Sequence, residues 1–401
     1  MGKRRGFVRI VSRIYLPEAA AASFRLAGVA KALREKGIEV EVVTTTSPPG
    51  VPVSDQDRVR RFPVLRDKEG YVRGYLQYLS FDIPAFFRVL FSPRAAVTLV
   101  EPPPTTGFFM RIVNKLLGVP YVYYLPDLWG AASASFAPKI VVKAVKALET
   151  FAVRGAVAVI AVNEEIAETA RAMGTKSVHL IPNGIDTGTF TNEVEPLSRG
   201  EREDIGLADA PYFIYTGTAS EWQGASIFIS ALAQVIDKIP HHLVFLGKGS
   251  DWDLLKEQAA KPELKGRVHV LETLPPAETA RWIAGADAGL VSIKAGAGYD
   301  HAYPTKALAS FSCGVPVLYA GTGAAGDDIR ENNLGWVVNY SPSSVAAAMV
   351  QAQVCATKMT DQGTWVRQWV CKNRSLLESS RKVAEVLLQT ECSGKRNKRS
   401  R

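Results

Sequence analysis

The chain has 401 residues, 47% of them apolar and 22% charged, which is ordinary globular composition and excludes a disordered protein. At roughly 150 residues per domain the length predicts two domains, each with a sizeable core. The net charge of +9 is uneven: Lys3, Arg4 and Arg5 at one end and Lys395, Arg396, Lys398, Arg399 and Arg401 at the other carry eight of the nine excess charges, so the body of the chain lacks the basic excess of a nucleic-acid binder.

Along the chain, short β-branched runs alternate with helical patterns. Phe7–Ser12 reads as a strand, Ala22–Lys36 as a helix ended by Gly37, and Glu39–Thr45 as the next strand. Strands follow at Ala95–Val100, Pro120–Leu125, Val157–Val162 and Val178–Leu180, with helices near Gly107–Leu117, Lys139–Arg154 and Glu164–Met173. A polar stretch from Asn183 to Ala210 interrupts the rhythm. It resumes with strands Tyr212–Thr216, His242–Gly247, Arg267–Leu271, Ala288–Ile293, Val315–Ala320 and Gly335–Val338. Such alternation implies parallel sheets covered on both faces, hence two Rossmann-like doubly wound α/β domains facing across a cleft. The expected boundaries are 1–183 and 184–358, then helices over 359–392 and a basic disordered tail over 393–401.

Cys313, Cys355, Cys371 and Cys392 lie far apart with no CxxC, so a disulfide scaffold and a zinc cluster are not expected and a reducing cytoplasm is. Arg9 and Arg13 interrupt what would be the apolar core of a signal peptide, and no stretch reads as a bilayer span.

Three familiar patterns lose force on inspection. Gly321–Gly326 fits GxGxxG after a strand, but no acidic residue between Glu331 and Asp361 is placed to hold a ribose, which argues against a nicotinamide or flavin oxidoreductase. A glycine loop at a helix start still lets backbone N–H groups approach an anion. Asp55-Gln-Asp57 and Asp251-Trp-Asp253 spell DxD, yet neither follows an apolar strand, and Asp251 sits where a helix N-cap belongs.

Other segments form an ordered set. They are Arg13-Ile-Tyr-Leu-Pro-Glu18, Gly37–Val43, Glu101-Pro-Pro-Pro-Thr-Thr-Gly107, Tyr121–Pro126 with Asp127-Leu-Trp129, and Ile181-Pro-Asn-Gly-Ile-Asp-Thr187 before Phe190. In the second half stand Gly285–Ser292, Tyr303-Pro-Thr-Lys-Ala-Leu308 and Cys313-Gly-Val-Pro-Val317. Over about residues 7–340 this set resembles the family-4 retaining glycosyltransferases of the GT-B fold, in their polysaccharide and cell-envelope assembly branch. The resemblance implies a nucleoside-diphosphate sugar of hexose type held by the second half and an acceptor held by the first. It also implies transfer with retained anomeric configuration and no bound metal or other cofactor.

On that resemblance the departing diphosphate needs cations or backbone N–H groups around it. Lys306, just past Tyr303, Pro304 and Thr305 at a helix start, is the first candidate; Lys248 and Arg25 follow. Gly217 and Thr218 end a strand beside the donor, and Glu272 and Leu274 fall where the family frames the base. Asp127 would position the acceptor hydroxyl or take its proton, with Trp129 and Glu18 nearby, and His301 would touch the donor sugar. Five departures stand against full activity. Thr218 and Gln223 replace two expected phosphate cations, His301 and Ala309 replace a pair of glutamates of which the second would hold the ribose, and Ala19–Ala22 replace a glycine pair. A catalytically silent homologue acting as a binding or scaffold protein therefore remains an alternative.

The expected acceptor half also carries apolar segments rich in phenylalanine: Phe81, Phe86, Phe87 and Phe91, then Phe108 and Phe109 beside Arg111 and Lys115. Lys139, Lys143 and Lys146 form a basic stripe at helical spacing. With the basic ends these favour docking on an anionic membrane at the cytoplasmic face, where a lipid-linked or polysaccharide acceptor would reside. No aromatic and basic surface for reading nucleic acid is evident.

Overall fold

A computed structural model of the chain describes residues 6–18, 20–47, 58–67, 70, 72, 74–135, 137–296, 299, 302–356 and 360–397. Its packing divides into two units, one made of Met1–Asn183 with Leu376–Arg401 and the other of Gly184–Ser375.

The first unit is a seven-stranded parallel sheet. Its strands are β1 (Val8–Val11), β2 (Val40–Thr45), β3 (Arg58–Phe62), β4 (Val97–Val100), β5 (Tyr121–Leu125), β6 (Ala158–Ala161) and β7 (Val178–Leu180), in spatial order β3-β2-β1-β4-β5-β6-β7. Nearly every residue of β1, β2, β4, β5 and β6 is buried, as near-continuous runs of Val, Ile, Tyr and Ala require of strands covered on both faces. The helices are α1 (Ala21–Glu35), α2 (Tyr75–Leu90), α3 (Pro104–Leu117), α4 (Trp129–Ala132), α5 (Lys139–Gly155) and α6 (Glu164–Ala172). Local signals set their ends. Gly118 takes the left-handed conformation at φ +64° to end α3, and Asn163 caps α6 by accepting the Ile166 N–H at 2.9 Å.

β3 was not legible in the sequence because three of its five residues are arginines. It is an edge strand, and Arg58 and Arg60 reach Glu41 on β2 at 3.8 and 2.9 Å, while Arg9 on β1 reaches the same carboxylate at 2.7 Å. Glu41 and Arg9 are both buried, a charge pair that only mutual hydrogen bonding makes tolerable in the sheet.

The second unit is a six-stranded parallel sheet of β8 (Tyr212–Thr218), β9 (His242–Lys248), β10 (Val268–Glu272), β11 (Ala288–Ser292), β12 (Val317–Ala320) and β13 (Gly335–Val338), ordered β10-β9-β8-β11-β12-β13. Around it lie α7 (Arg199–Glu203), α8 (Ile227–Val235), α9 (Trp252–Ala259), α10 (Pro276–Ala284), α11 (Thr305–Ser312), α12 (Ala324–Glu331), α13 (Pro342–Ala356) and α14 (Thr360–Asn373). The short α7, inside the stretch expected to be irregular, exists through a capping box between Ser198 and Glu201.

The two helices expected together after residue 358 go to different units. α14 packs on α11, whereas α15 (Leu376–Asn397) packs on α1 in the first unit. Bare Gly28 on α1 makes this fit: a Cβ there would lie 2.4 Å from the Ser380 hydroxyl. Val383, Ala384, Val386 and Leu387 are accordingly part of the first unit's core. The expected disordered tail from 393 is corrected in part, since α15 continues to Asn397; Lys398, Arg399 and Arg401 lie outside the described residues, as do Lys3, Arg4 and Arg5.

In each sheet the strand order reverses once, between β1 and β4 and between β8 and β11. Ligands of doubly wound folds bind beyond the carboxyl ends of the strands at such a reversal. Those two edges define the candidate sites.

Candidate active site

At the carboxyl edge of the first unit, loops after β1, β4 and β5 bring charged and aromatic groups together. Arg25, from α1, is buried and donates to Glu101 just past β4 and, at 3.2 Å, to Asn183; its guanidinium lies 4.6 Å from the Tyr124 ring centre. Burial opposes its charge, but the Glu101 carboxylate outweighs that and raises its pKa. Ser12 donates to the other Glu101 oxygen at 3.0 Å. Arg25 is thus engaged within its own unit. Asp127 lies near enough to act electrostatically on both Arg25 and the Glu149 carboxyl. Glu149 is buried on α5 and accepts the Trp129 and Gly130 N–H groups at 2.8 and 3.1 Å, which holds the start of α4 and hence Trp129 in place. Burial raises the Glu149 pKa, and those two N–H groups restrain the rise. Glu18 pairs with Arg66 at 3.4 Å.

Sequence reasoning singled out Trp129 but not Arg13, Tyr78 and Asp82, which gather beside it. The Arg13 guanidinium sits 4.7 Å from the Tyr78 ring centre and 5.7 Å from that of Trp129, and the two rings meet edge to face at 5.9 Å. Its burial lowers its pKa. Behind it Asp82 is fully buried, takes the Thr106 hydroxyl at 2.5 Å and leaves its second oxygen without a hydrogen-bond partner. Burial pushes this carboxyl up to about 6, against the pull of the threonine hydroxyls and Arg13. The signal available was weak: an arginine just past the first strand, and a lone acid in an apolar helix.

The second unit offers a different edge. Gly217 and Thr218 at the end of β8 pair in register with Gly247 and Lys248 at the end of β9. Here the glycines are steric requirements: a Cβ on Gly247 would meet the Gly217 carbonyl oxygen at 2.0 Å, and one on Gly249 would meet that of Ala219 at 2.0 Å. Lys306, in the first turn of α11, donates to the Thr218 carbonyl at 2.9 Å and lies 3.6 Å over the Tyr215 ring. Burial pushes its ammonium well below the usual lysine range. Pro304 caps α11, Thr305 begins it, and Tyr303 is half-buried with the Arg374 guanidinium 4.4 Å from its ring centre. Burial raises the Tyr303 phenol.

Lys294, two residues beyond β11, was also missed. Its stem lies over Gly224, where a Cβ would stand 2.4 Å from its Cε and 2.0 Å from the Tyr340 hydroxyl oxygen; that hydroxyl donates to the Gly224 carbonyl at 2.8 Å. Lys294 makes no salt bridge among the described residues. It and Lys306 therefore brace the two ends of the β8–α8 loop, at Gly224 and Thr218. Nearby, Trp222 and Tyr299 stack with ring centres 4.4 Å apart. Its position just beyond a strand at the reversal was the signal that could have found it.

Other expected residues fall elsewhere. Glu272, at the end of β10, is exposed and pairs with Lys256 at 2.9 Å, and Leu274 packs partly buried in the loop before α10. Gln223 is buried and its carbonyl accepts the Ser220 N–H at 3.0 Å, so it braces the loop; Ala309 is core. His301, Ala19 and the Asp55–Asp57 pair lie outside the described residues. Arg111 and Lys115 are on α3, and Lys139 and Lys143 on α5, of the first unit. Among the described residues no group of three or more His, Cys, Asp or Glu could hold a metal ion.

Two doubly wound units, one with a strand edge of braced glycines and lysines, define a two-domain Rossmann-like α/β architecture. Residues 21–184 match the family described as "Glycosyl transferase 4-like domain" and residues 210–353 match "Glycosyl transferases group 1". The chain belongs to the family-4 type of glycosyltransferases with the GT-B fold. A curated relative, the GDP-mannose-dependent alpha-(1-6)-phosphatidylinositol monomannoside mannosyltransferase of Mycolicibacterium smegmatis, is 25% identical over 211 residues, 52% of this chain and 55% of that protein. A D-inositol 3-phosphate glycosyltransferase of Xylanimonas cellulosilytica is 24% identical over 47% of this chain and 45% of its own length. The chain thus spans about half the length of the curated relatives it matches. Among solved structures, sucrose-phosphate synthase of Thermosynechococcus elongatus superposes with a TM-score of 0.79 at 16% identity, over 97% of this chain and 100% of that one. HepE of Anabaena in complex with UDP-glucose superposes with a TM-score of 0.71 at 17% identity, over 96% and 100%. At these identities the structures establish the fold.

Proposed function

We propose that the chain transfers a hexose-type sugar from a nucleoside-diphosphate sugar to a lipid-linked or polysaccharide acceptor at the cytoplasmic face of the membrane, with retention of configuration and without a bound metal. The observation that carries this reading is the carboxyl edge of the second unit. There Gly217, with nothing within 4 Å of where a Cβ would stand, leaves backbone open to close approach, Gly247 and Gly249 let the β8 and β9 ends pack tightly beneath it, and Lys294 and Lys306 supply positive charge. In the reaction the bond from the anomeric carbon to the diphosphate oxygen breaks and its electron pair leaves with the diphosphate. The acceptor oxygen bonds to that carbon, and its proton goes to the departing phosphate or to Asp127. A diphosphate would favour the charged form of Lys306, which burial disfavours. Support for the donor class comes from similar proteins, one of them GDP-mannose-dependent and another in complex with UDP-glucose.

Calorimetry of the full chain with UDP, GDP, ADP and dTDP, followed by hydrolysis of the matching nucleotide sugars, tests the reading. The expected result is binding of one nucleoside diphosphate and slow release of its sugar. Binding of none would favour a catalytically silent homologue, the reading to which Thr218, Gln223 and Ala309 lend weight. Capture of a dinucleotide on the Gly321–Gly326 loop would overturn the transferase reading in favour of an oxidoreductase.

A further inference from the structure

Six phenylalanines of the first unit touch one another in a line across three helices. Phe91 stacks on Phe87 at 6.5 Å, Phe87 meets Phe86 at 5.2 Å, and Phe86 meets Phe109 at 6.1 Å; Phe109 meets Phe108 at 5.4 Å, and Phe108 meets Phe151 at 5.3 Å. The line passes from α2 through α3 to α5. Phe81, which the sequence grouped with them, is not part of it; it is fully buried against Phe62. The outer end is open to solvent, Phe91 being 81% and Phe87 52% exposed, and Ile83, Leu116 and Ile140 on the same three helices are exposed as well.

The charge on these helices is one-sided. α2, α3 and α5 carry Arg88, Arg111, Lys115, Lys139, Lys143, Lys146 and Arg154. None of these cations is in a salt bridge among the described residues. The only carboxylates on the three helices, Asp82 and Glu149, are buried. On α5 the spacing of Lys139, Lys143, Lys146, Thr150 and Arg154 keeps the polar groups on one stripe, with Ile140 and Phe151 on its flank. At the end of the aromatic line, Arg111, Lys146, Ala147, Thr150, Phe151 and Arg154 enclose a depression of about 480 Å³. The Arg111 guanidinium lies 3.9 Å over the Phe151 ring and donates to the Phe151 carbonyl, so it is held with further N–H groups to spare.

We propose that this face docks on an anionic phospholipid bilayer. The exposed end of the aromatic line enters the acyl boundary, and the Arg111–Lys146–Arg154 depression takes a lipid phosphate. The choice of occupant rests on the charge: a surface with seven cations and no exposed carboxylate on its helices is complementary to anionic headgroups, and rings beside cations are the composition that lies in an interface. The inference deepens the membrane-facing reading of the preceding section but depends on neither donor nor reaction.

The test is co-sedimentation of the full chain with phosphatidylcholine vesicles containing no or 30 mol% phosphatidylglycerol, a composition chosen as roughly that of an anionic leaflet. Two variants accompany it: Phe87→Ser with Phe91→Ser, and Lys146→Glu with Arg154→Glu. All four side chains are exposed, so far-UV circular dichroism and nucleoside diphosphate binding are expected to stay as in the parent. The expected result is binding that needs the anionic lipid and falls at least about tenfold in each variant. Equal sedimentation of parent and variants, or no binding by the parent, overturns the proposal. So does a concentration-dependent dimer that the Phe87→Ser, Phe91→Ser variant abolishes, because the face would then belong to a second copy. Vesicle binding without nucleotide binding would leave docking standing and sink the transferase reading.

Discussion

The two strand edges use charge in opposite ways. In the first unit charges are locked in place: Arg25 is held by Glu101, and Glu149 by the backbone N–H groups of Trp129 and Gly130. In the second unit Lys306 leans on a carbonyl and an aromatic ring, and Lys294 lies along a bare glycine. A locked pair shapes a pocket and holds its side chains still. A cation without a salt bridge leaves its charge to whatever anion arrives. The difference separates residues that build a surface from residues that answer a ligand.

Breaking the locked edge should have the largest effect. Arg25→Ala leaves Glu101 buried without its cation and should cost about 3–5 kcal/mol of first-unit stability, read as early loss of amide protection in β1 and β4. A loss below about 1 kcal/mol would mean that water reaches Glu101 and that the pair is not structural. Lys306→Ala should do the reverse. Stability should hold, because a desolvated cation is removed, while nucleoside diphosphate binding weakens by about 1.5–3 kcal/mol, roughly ten- to a hundredfold. Unchanged affinity in calorimetry would take Lys306 out of the site.

The smallest effect expected is a divergence with pH. His242 hydrogen-bonds His269 at 2.8 Å, and burial with neighbouring positive groups lowers its pKa to about 4. The unfolded chain takes up that proton first, so the second unit loses stability as pH falls from the ordinary histidine range toward 4. Asp82 in the first unit is raised to about 6, so the folded state takes up its proton first. That unit gains stability as pH falls below 6. Hydrogen exchange at pH 6.5 and 4.5, resolved by peptide and corrected for intrinsic rates, should show slopes of opposite sign; parallel slopes would discard one or both assignments.

Strand positions were readable because buried parallel strands are unbroken apolar runs: β9, β11 and β12 lie within a residue or two of their expected limits. β3 escaped because its arginines hide a strand whose charges are neutralised only by Glu41, a residue on a neighbouring strand. The strand-end loops were likewise legible from glycines and motif order. What those loops do with charge was not. Arg25 and Glu101 are 76 positions apart, and nothing local says that one occupies the other. Lys306 was visible as a cation at a helix start, whereas its aim at Thr218 is decided by how β8 and α11 pack.

The placement of α15 also bears on the order in which the protein can be finished. Val383, Ala384, Val386 and Leu387 help complete a core whose other members end at Ile181, and all of the second unit is encoded between them. During synthesis the first sheet emerges early but waits for its last covering helix while nearly two hundred further residues are made. The unit that is first to appear on the ribosome is thus the last to close.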